Sequence, residues 1–264
     1  MIENFLSLPT FIMCAVAILI GAGISIVALL IIRKKLNWES FQENHEVGGF
    51  LFNALGLIYA VLIAFVVYAT WEEYDSAKVY CENEANVLQD LFLDSEGLPE
   101  SSQLPIKEKI IEYMSSVIDQ DWPLLSIEEA NPESRKILTE LFGLYTGMDS
   151  LKTDKQKIYF AESLSKLNQI AEFRRLRILS SQNHIPAVIW TVIIIGSLTS
   201  IGFSLFFGTR SLAVQASMTS LFAMTNAIVI LMILALDHPF TGDIGIDPDA
   251  FEQILNYLQD YLSK

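Results

Sequence analysis

Cysteine occurs only at Cys14 and Cys81 in the 264 residues, and histidine only at His45, His184 and His238. No CxxC, HExxH or paired Cys/His cluster is present, so a structural zinc site has nothing to stand on and no metal is expected. A disulfide between one thiol in an apolar run and one in a polar region is improbable, and the redox compartment stays open. No nucleophile–base set or cofactor loop appears. Gly21-x-Gly23 lies inside an apolar run, where the strand-to-helix turn of a nucleotide fingerprint cannot form. The expectation is therefore no enzyme and no cofactor. Positive charge is scarce as well, 17 Lys and Arg against 31 Asp and Glu for a formal charge of −14, and no nucleic-acid partner is expected.

Charge itself is missing from residues 4–32, 47–71, 178–209 and 211–236. Each window exceeds the roughly 20 apolar residues that cross about 30 Å of hydrocarbon. Together with 52% hydrophobic residues and a mean hydropathy of +0.40, these windows exclude a single soluble domain. They predict an all-α polytopic membrane protein whose partner is the lipid bilayer: four transmembrane helices in two hairpins, with a helical insert between the second and third. The first hairpin is residues 1–71, with spans at about 9–32 and 48–71, and the second is 186–236, with spans at about 186–208 and 212–236. The first apolar stretch is longer than a signal-peptide core, has no basic residue before it and no cleavage site, and reads as a retained helix.

The insert, residues 72–185, is acidic but not disordered in composition. Tyr74, Ala77, Cys81, Ala85, Leu88 and Phe92 continue a helical stripe out of the second span, with no Gly or Pro before Gly97-Leu98-Pro99. Ile106, Ile110, Ile111, Met114, Val117 and Ile118 form a second stretch, which Asp121-Trp122-Pro123 is expected to end. Ile137, Leu138, Leu141 and Tyr145 form a third. Ile158, Ala161, Leu164, Leu167, Ile170 and Leu176 form a fourth, expected to run on into the third span, because Pro186 stands at a permitted first-turn position. The tail, residues 237–264, holds Asp237, Asp243, Asp247 and Asp249 near Gly242 and Gly245. These carboxylates suit either solvated surface acids or a hard cation, although the spacing fits no EF-hand. An amphipathic helix over 250–262 is expected on the insert or on the membrane surface.

Within the second span Gly49, Asn53, Gly56, Ala60 and Ala64 share one helical face. Small residues at such steps allow close helix packing, and the same face could line a pore with Asn53 as its amide. Phe65, Tyr68 and Trp71 place aromatic bulk at one mouth, as a pore constriction or as an interfacial belt. In the fourth span Gln215 and Asn226 need inward or inter-subunit partners, because hydrocarbon offers none. No Asp, Glu, Lys or Arg lies inside a span, which counts against a proton- or cation-coupled transporter. Arg33-Lys34-Lys35 at the end of the first span, against Glu3 before it, favours an extracytoplasmic insert. Arg174, Arg175, Arg177 and Lys78 pull the other way. Cys81 offers a thiol in the insert on which sidedness could be tested.

The chain resembles the bestrophin-like family of bacterial membrane proteins. The resemblance rests on Gly49-Phe50-Leu51-Phe52, on Gly56-Leu57-Ile58-Tyr59-Ala60-Val61-Leu62-Ile63-Ala64-Phe65-Val66-Val67, on Trp71-Glu72 and Glu84-Ala85, and on Asp121-Trp122-Pro123 after Tyr113. Arg174 with Arg177, Ile185-Pro186 before Trp190, and Leu236-Asp237-His238-Pro239-Phe240 with Gly242 complete it. It implies an oligomeric anion channel, a homo-pentamer whose second helix lines the pore and whose insert is cytosolic. The tail is shorter and less acidic than the calcium clasp of bestrophins, which puts calcium gating in doubt. The alternative is a non-conducting membrane scaffold or sensor whose insert binds a partner.

Overall fold

The computed structural model describes residues 5–35, 45–148 and 151–263. Glu3 and most of the loop between the first two spans lie outside that set. Among the described residues the order is α1 (Thr10–Lys35), α2 (His45–Asp94), α3 (Glu100–Ser116), α4 (Trp122–Leu125), α5 (Pro132–Thr146), α6 (Asp154–Gln182), α7 (Ala187–Ser204), α8 (Leu212–Leu236) and α9 (Asp249–Leu262), with no strand. Four of these helices, α1, α2, α7 and α8, are long and apolar enough to cross a membrane.

Local chemistry sets the helix ends. Arg33, Lys34 and Lys35 fill the last turn of α1, where cations offset the negative end of the helix dipole. α2 runs 50 residues, about 75 Å at 1.5 Å per residue, so it outreaches the hydrocarbon at the expected place. It stops where the chain tightens into a 3₁₀ turn at Ser95–Gly97. Asn131 caps α5 by accepting the Glu133 N–H, Thr153 and Gln156 form a reciprocal capping box on α6, and Ser211 caps α8.

Two expected boundaries are corrected. Asp121-Trp122-Pro123 does not end a helix: α3 widens into a π-helical turn at Val117–Asp121, the Trp122 N–H bonds to Val117 O, and the chain enters α4 with Pro123 in its first turn. Nor does α6 run into α7. The chain leaves the helix at Asn183 (φ −92°, ψ 117°) and resumes it after Pro186; Pro186 also keeps Ile185, the residue before it, out of the α region. A lone Pro186 is compatible with a helix start, and that start is a new helix.

The chain divides into two compact units. One holds Met1–Glu72, His184–Asp237 and Thr241–Ile244. In it α1 packs along α8, where Ser25 Oγ donates to the Ala22 carbonyl at 2.8 Å and lies 3.3 Å from Ser220 Oγ. At Gly21 a Cβ would approach Ala223 O to 3.0 Å, a contact that keeps the two backbones close. Gly242 has φ +76°, and a Cβ there would overlap the Leu6 carbonyl, so the position requires glycine.

The other unit holds Glu73–Asn183, His238–Phe240 and Gly245–Lys264. Its core combines Ala77, Ala85, Leu88 and Phe92 of α2 with Ile106, Ile110 and Met114 of α3, Leu141 and Tyr145 of α5, Leu167 and Ile170 of α6, and Phe251 and Leu258 of α9. The tail helix therefore belongs to the insert rather than to the membrane surface. The stripe expected on α6 is partly wrong. Ile158 and Ala161 are exposed, whereas Ser163, Arg174, Arg177 and Ser181 are buried. Apolar periodicity assigns charged residues to the surface, and here two arginines occupy the core face.

Candidate functional site

The second span presents its small residues outward from its own unit. No residue of the most apolar stretch of α2 is buried. The contacts of α2 come from a different face: Phe52 meets Phe203, Phe207 and Phe222, and Tyr59 OH donates to Ile193 O at 3.2 Å. The Tyr59 ring fills the place of a side chain at Gly196, where a Cβ would sit 2.5 Å from ring carbons. By contrast, nothing lies within 4 Å of a Cβ at Gly49 or Gly56, and Asn53, Ala60, Ala64 and Phe65 are exposed. Tyr68 and Trp71 are exposed too. Of this set only Phe65 lies off the small-residue face.

Polar groups of the fourth span do find partners inside the chain. Gln215, 2% exposed, accepts from Arg33 Nε at 2.9 Å and Nη2 at 2.6 Å and donates to Leu205 O at 3.1 Å. Arg33 Nη2 also reaches Thr209 O. Asn226 donates to Phe222 O on its own helix at 3.0 Å.

Residues scattered along the insert and tail meet in one buried network. Arg177 of α6 donates through Nε to Glu84 Oε2 at 2.8 Å, and through Nη2 to Glu84 Oε1 at 3.2 Å and Asp121 Oδ2 at 3.0 Å. Tyr113 OH donates to Glu84 Oε1 at 2.6 Å. Arg174 donates to Asn131 O and Ser134 Oγ, and Ser134 Oγ donates to Asp121. The π-helical turn makes this possible by turning both Asp121 and Trp122 inward. Trp122 Nε1 donates to Ile246 O at 2.8 Å, its ring packs edge-on to Phe240 and Phe251, and the Arg177 guanidinium lies 5.6 Å from the Trp122 ring centre and 5.8 Å from that of Phe251. Pro239 O accepts from Ile246 N at 2.7 Å, whereas Pro123 stays exposed.

Burial pushes the Tyr113 phenol well above its ordinary range, and the Glu84 charge adds to the shift. Burial opposes the Arg177 charge, but Glu84 and Asp121 outweigh it and hold the guanidinium protonated. Two carboxylates and two guanidiniums paired and hydrogen-bonded to one another make a structural lock, although Asp121 Oδ1, Arg174 Nε and Arg177 Nη1 find no hydrogen-bond partner among the described residues; a buried charge is tolerated only when paired and hydrogen-bonded. Cys81 is 2% exposed, and burial pushes its thiol up to about 12. It is therefore not the accessible thiol that its polar sequence neighbourhood implied.

A second convergence joins the second hairpin to the start of the tail. Asp237 Oδ1 accepts the Ile185 N–H at 2.8 Å, and His184 Nδ1 donates to Asp237 O at 2.8 Å. Asp237 thereby fixes the extended residues before Pro186, with Trp190 half-buried one turn into α7. Asp243 accepts the Thr10 N–H at 3.0 Å. Among the described residues Asp237, Asp243, Asp247 and Asp249 form no cluster of metal-site size.

Helical content, four membrane-spanning helices and these convergent motifs define the class, an all-helical integral membrane protein. A model of the bestrophin-like domain matches residues 15–251, and the chain belongs to that family. No curated protein matches it in sequence. The fold is similar to that of crystal structures of a bacterial bestrophin homologue from Klebsiella pneumoniae. One has a TM-score of 0.71 at 14% identity, covering 95% of this chain and 98% of that one. A point variant has 0.73 at 14%, covering 94% and 99%.

Proposed function

We propose that the chain assembles as a homo-oligomer around α2 and forms a passive ion channel, conducting anions as family membership leads one to expect, with Gly49, Asn53, Gly56, Ala60 and Ala64 on the face towards the axis. One observation carries the reading. Asn53 is an exposed amide within a membrane-spanning segment, and hydrocarbon cannot satisfy its donors and acceptor. A water-filled pathway or the same residue of a neighbouring copy can. The open surface at Gly49 and Gly56 lies on that face and accommodates a close neighbour. The spans carry no Asp, Glu, Lys or Arg that would serve a proton or cation relay, which fits passive conduction better than coupled transport.

Purified protein reconstituted in liposomes should pass chloride down a gradient and run as an oligomer in detergent. Gly56→Leu and Ala60→Leu should each break assembly or abolish flux, and Asn53→Leu should alter flux without loss of fold. If the parent is inert, or if all three variants assemble and conduct like it, the reading fails.

A further inference from the structure

At the end of α1, three cations lie within 4.0 Å of no carboxylate among the described residues: Lys34, Lys35 and, in the turn before α8, Arg210. In a chain with 31 acidic residues against 17 basic ones, most lysines of the insert are paired: Lys78, Lys107, Lys109, Lys136, Lys157 and Lys166 each lie within 4.0 Å of a carboxylate, and Lys155 lies over the Tyr159 ring instead. Arg33, Lys34, Lys35 and Arg210 have no carboxylate that close among the described residues. Arg33 is instead satisfied by neutral acceptors, Gln215 and Thr209 O, which bind it in place without cancelling its charge. The bond to Thr209 seats the turn between α7 and α8 at the end of α1, and so brings Arg210, next in the chain, to the same end as the exposed Lys34 and Lys35. This end lies where two charge-free spans stop, at the depth of lipid headgroups.

We infer that Lys34, Lys35 and Arg210 form a binding site for a phosphate-bearing anion, held in place by the Arg33–Gln215 fork, and that its source is the headgroup of an anionic phospholipid. Each basic side chain near an anionic membrane surface contributes about fivefold in affinity, so removing three weakens binding on the order of a hundredfold. The site stands independently of conduction, since it involves no residue of the α2 face.

The full-length protein in zwitterionic nanodiscs or detergent is titrated with phosphatidylglycerol, with phosphatidylcholine and with inorganic phosphate, and its Tm and bound lipid are read. The comparison is the triple variant Lys34→Gln, Lys35→Gln, Arg210→Gln, which keeps Arg33 and should match the parent Tm in phosphatidylcholine alone. Phosphatidylglycerol should raise the parent's Tm and the variant should lose that response. A Tm rise with inorganic phosphate alone would keep the site but assign it to a soluble phosphate. Equal responses of parent and variant, or of the parent to both lipids, would overturn the site and leave these charges as a topology signal only.

Discussion

Arg177 and Glu84 stand 93 positions apart in the chain and meet as a fork with both side chains fully buried, Nε to Oε2 at 2.8 Å and Nη2 to Oε1 at 3.2 Å. Arg177 also carries Asp121, and Glu84 also carries Tyr113, so one contact ties α2, α3, the π-helical turn and α6 together. Removing either partner strands a charge in the core, an effect of about 3–5 kcal/mol. Arg177→Ala should abolish cooperative melting of the insert or lower its stability by that amount. Glu84→Gln keeps an acceptor and should cost less. Circular dichroism melts in detergent decide, and an Arg177→Ala variant as stable as the parent would refute the lock.

Alkaline pH should loosen the same unit. The Cys81 thiol is pushed from 9.0 up to about 12 by burial, and the buried Tyr113 and Tyr145 phenols are raised from 10.0, the latter to about 12. Below pH 9 these groups are neutral in both states and contribute no pH dependence. Above it the unfolded chain loses protons that the folded chain retains, so stability falls as pH rises, by roughly 1.4 kcal/mol per pH unit per group. Cys81→Ala should move the onset from about pH 9 to about pH 10, read from urea midpoints across pH.

Gly196 and Gly202 of α7 should respond oppositely to the same substitution. Gly196→Ala puts a Cβ 2.5 Å from the Tyr59 ring and forces α2 and α7 to shift, which overpacking data put at about 1–3 kcal/mol. Gly202 has nothing within 4 Å, so Gly202→Ala should be neutral or slightly stabilising. Thermal melts of the two variants check the pair.

Sidedness of the insert needs a thiol other than Cys81, whose burial would mask it from either side. Asn168 is exposed on α6, and Asn168→Cys in a Cys14→Ser background supplies one. The charge at Arg33-Lys34-Lys35 leads us to propose labelling by an impermeant maleimide in intact cells. Labelling only after the membrane is opened would place the insert in the cytosol.

The spans were legible because hydrocarbon imposes a one-dimensional rule: an uncharged stretch of sufficient length must be helical to satisfy its backbone. The same rule exposed Gln215, although not its partner, since Arg33 reaches it only once α1 and α8 pack. The buried lock was half legible. Glu84, Tyr113, Asp121, Trp122, Arg174 and Arg177 were all marked by the family resemblance, yet the apolar stripe on α6 left the arginines out, and Asp121-Trp122-Pro123 was read as a helix end.

Sequence by itself determined the class: four charge-free windows and a helical insert follow from composition and period, and the order of the motifs follows from the resemblance to the family. Tertiary structure decided which polar residues are core. A charged side chain can be buried only where its counter-charges arrive from elsewhere, and the fork of Arg177 on Glu84 and Asp121 depends on a π-helical turn and a helix–helix contact that no local pattern encodes. It also decided which face of α2 its own unit uses. Tyr59 seats on Gly196 and leaves Asn53 and Gly56 uncovered, because a glycine's missing side chain matters only where another helix comes close enough to fill it.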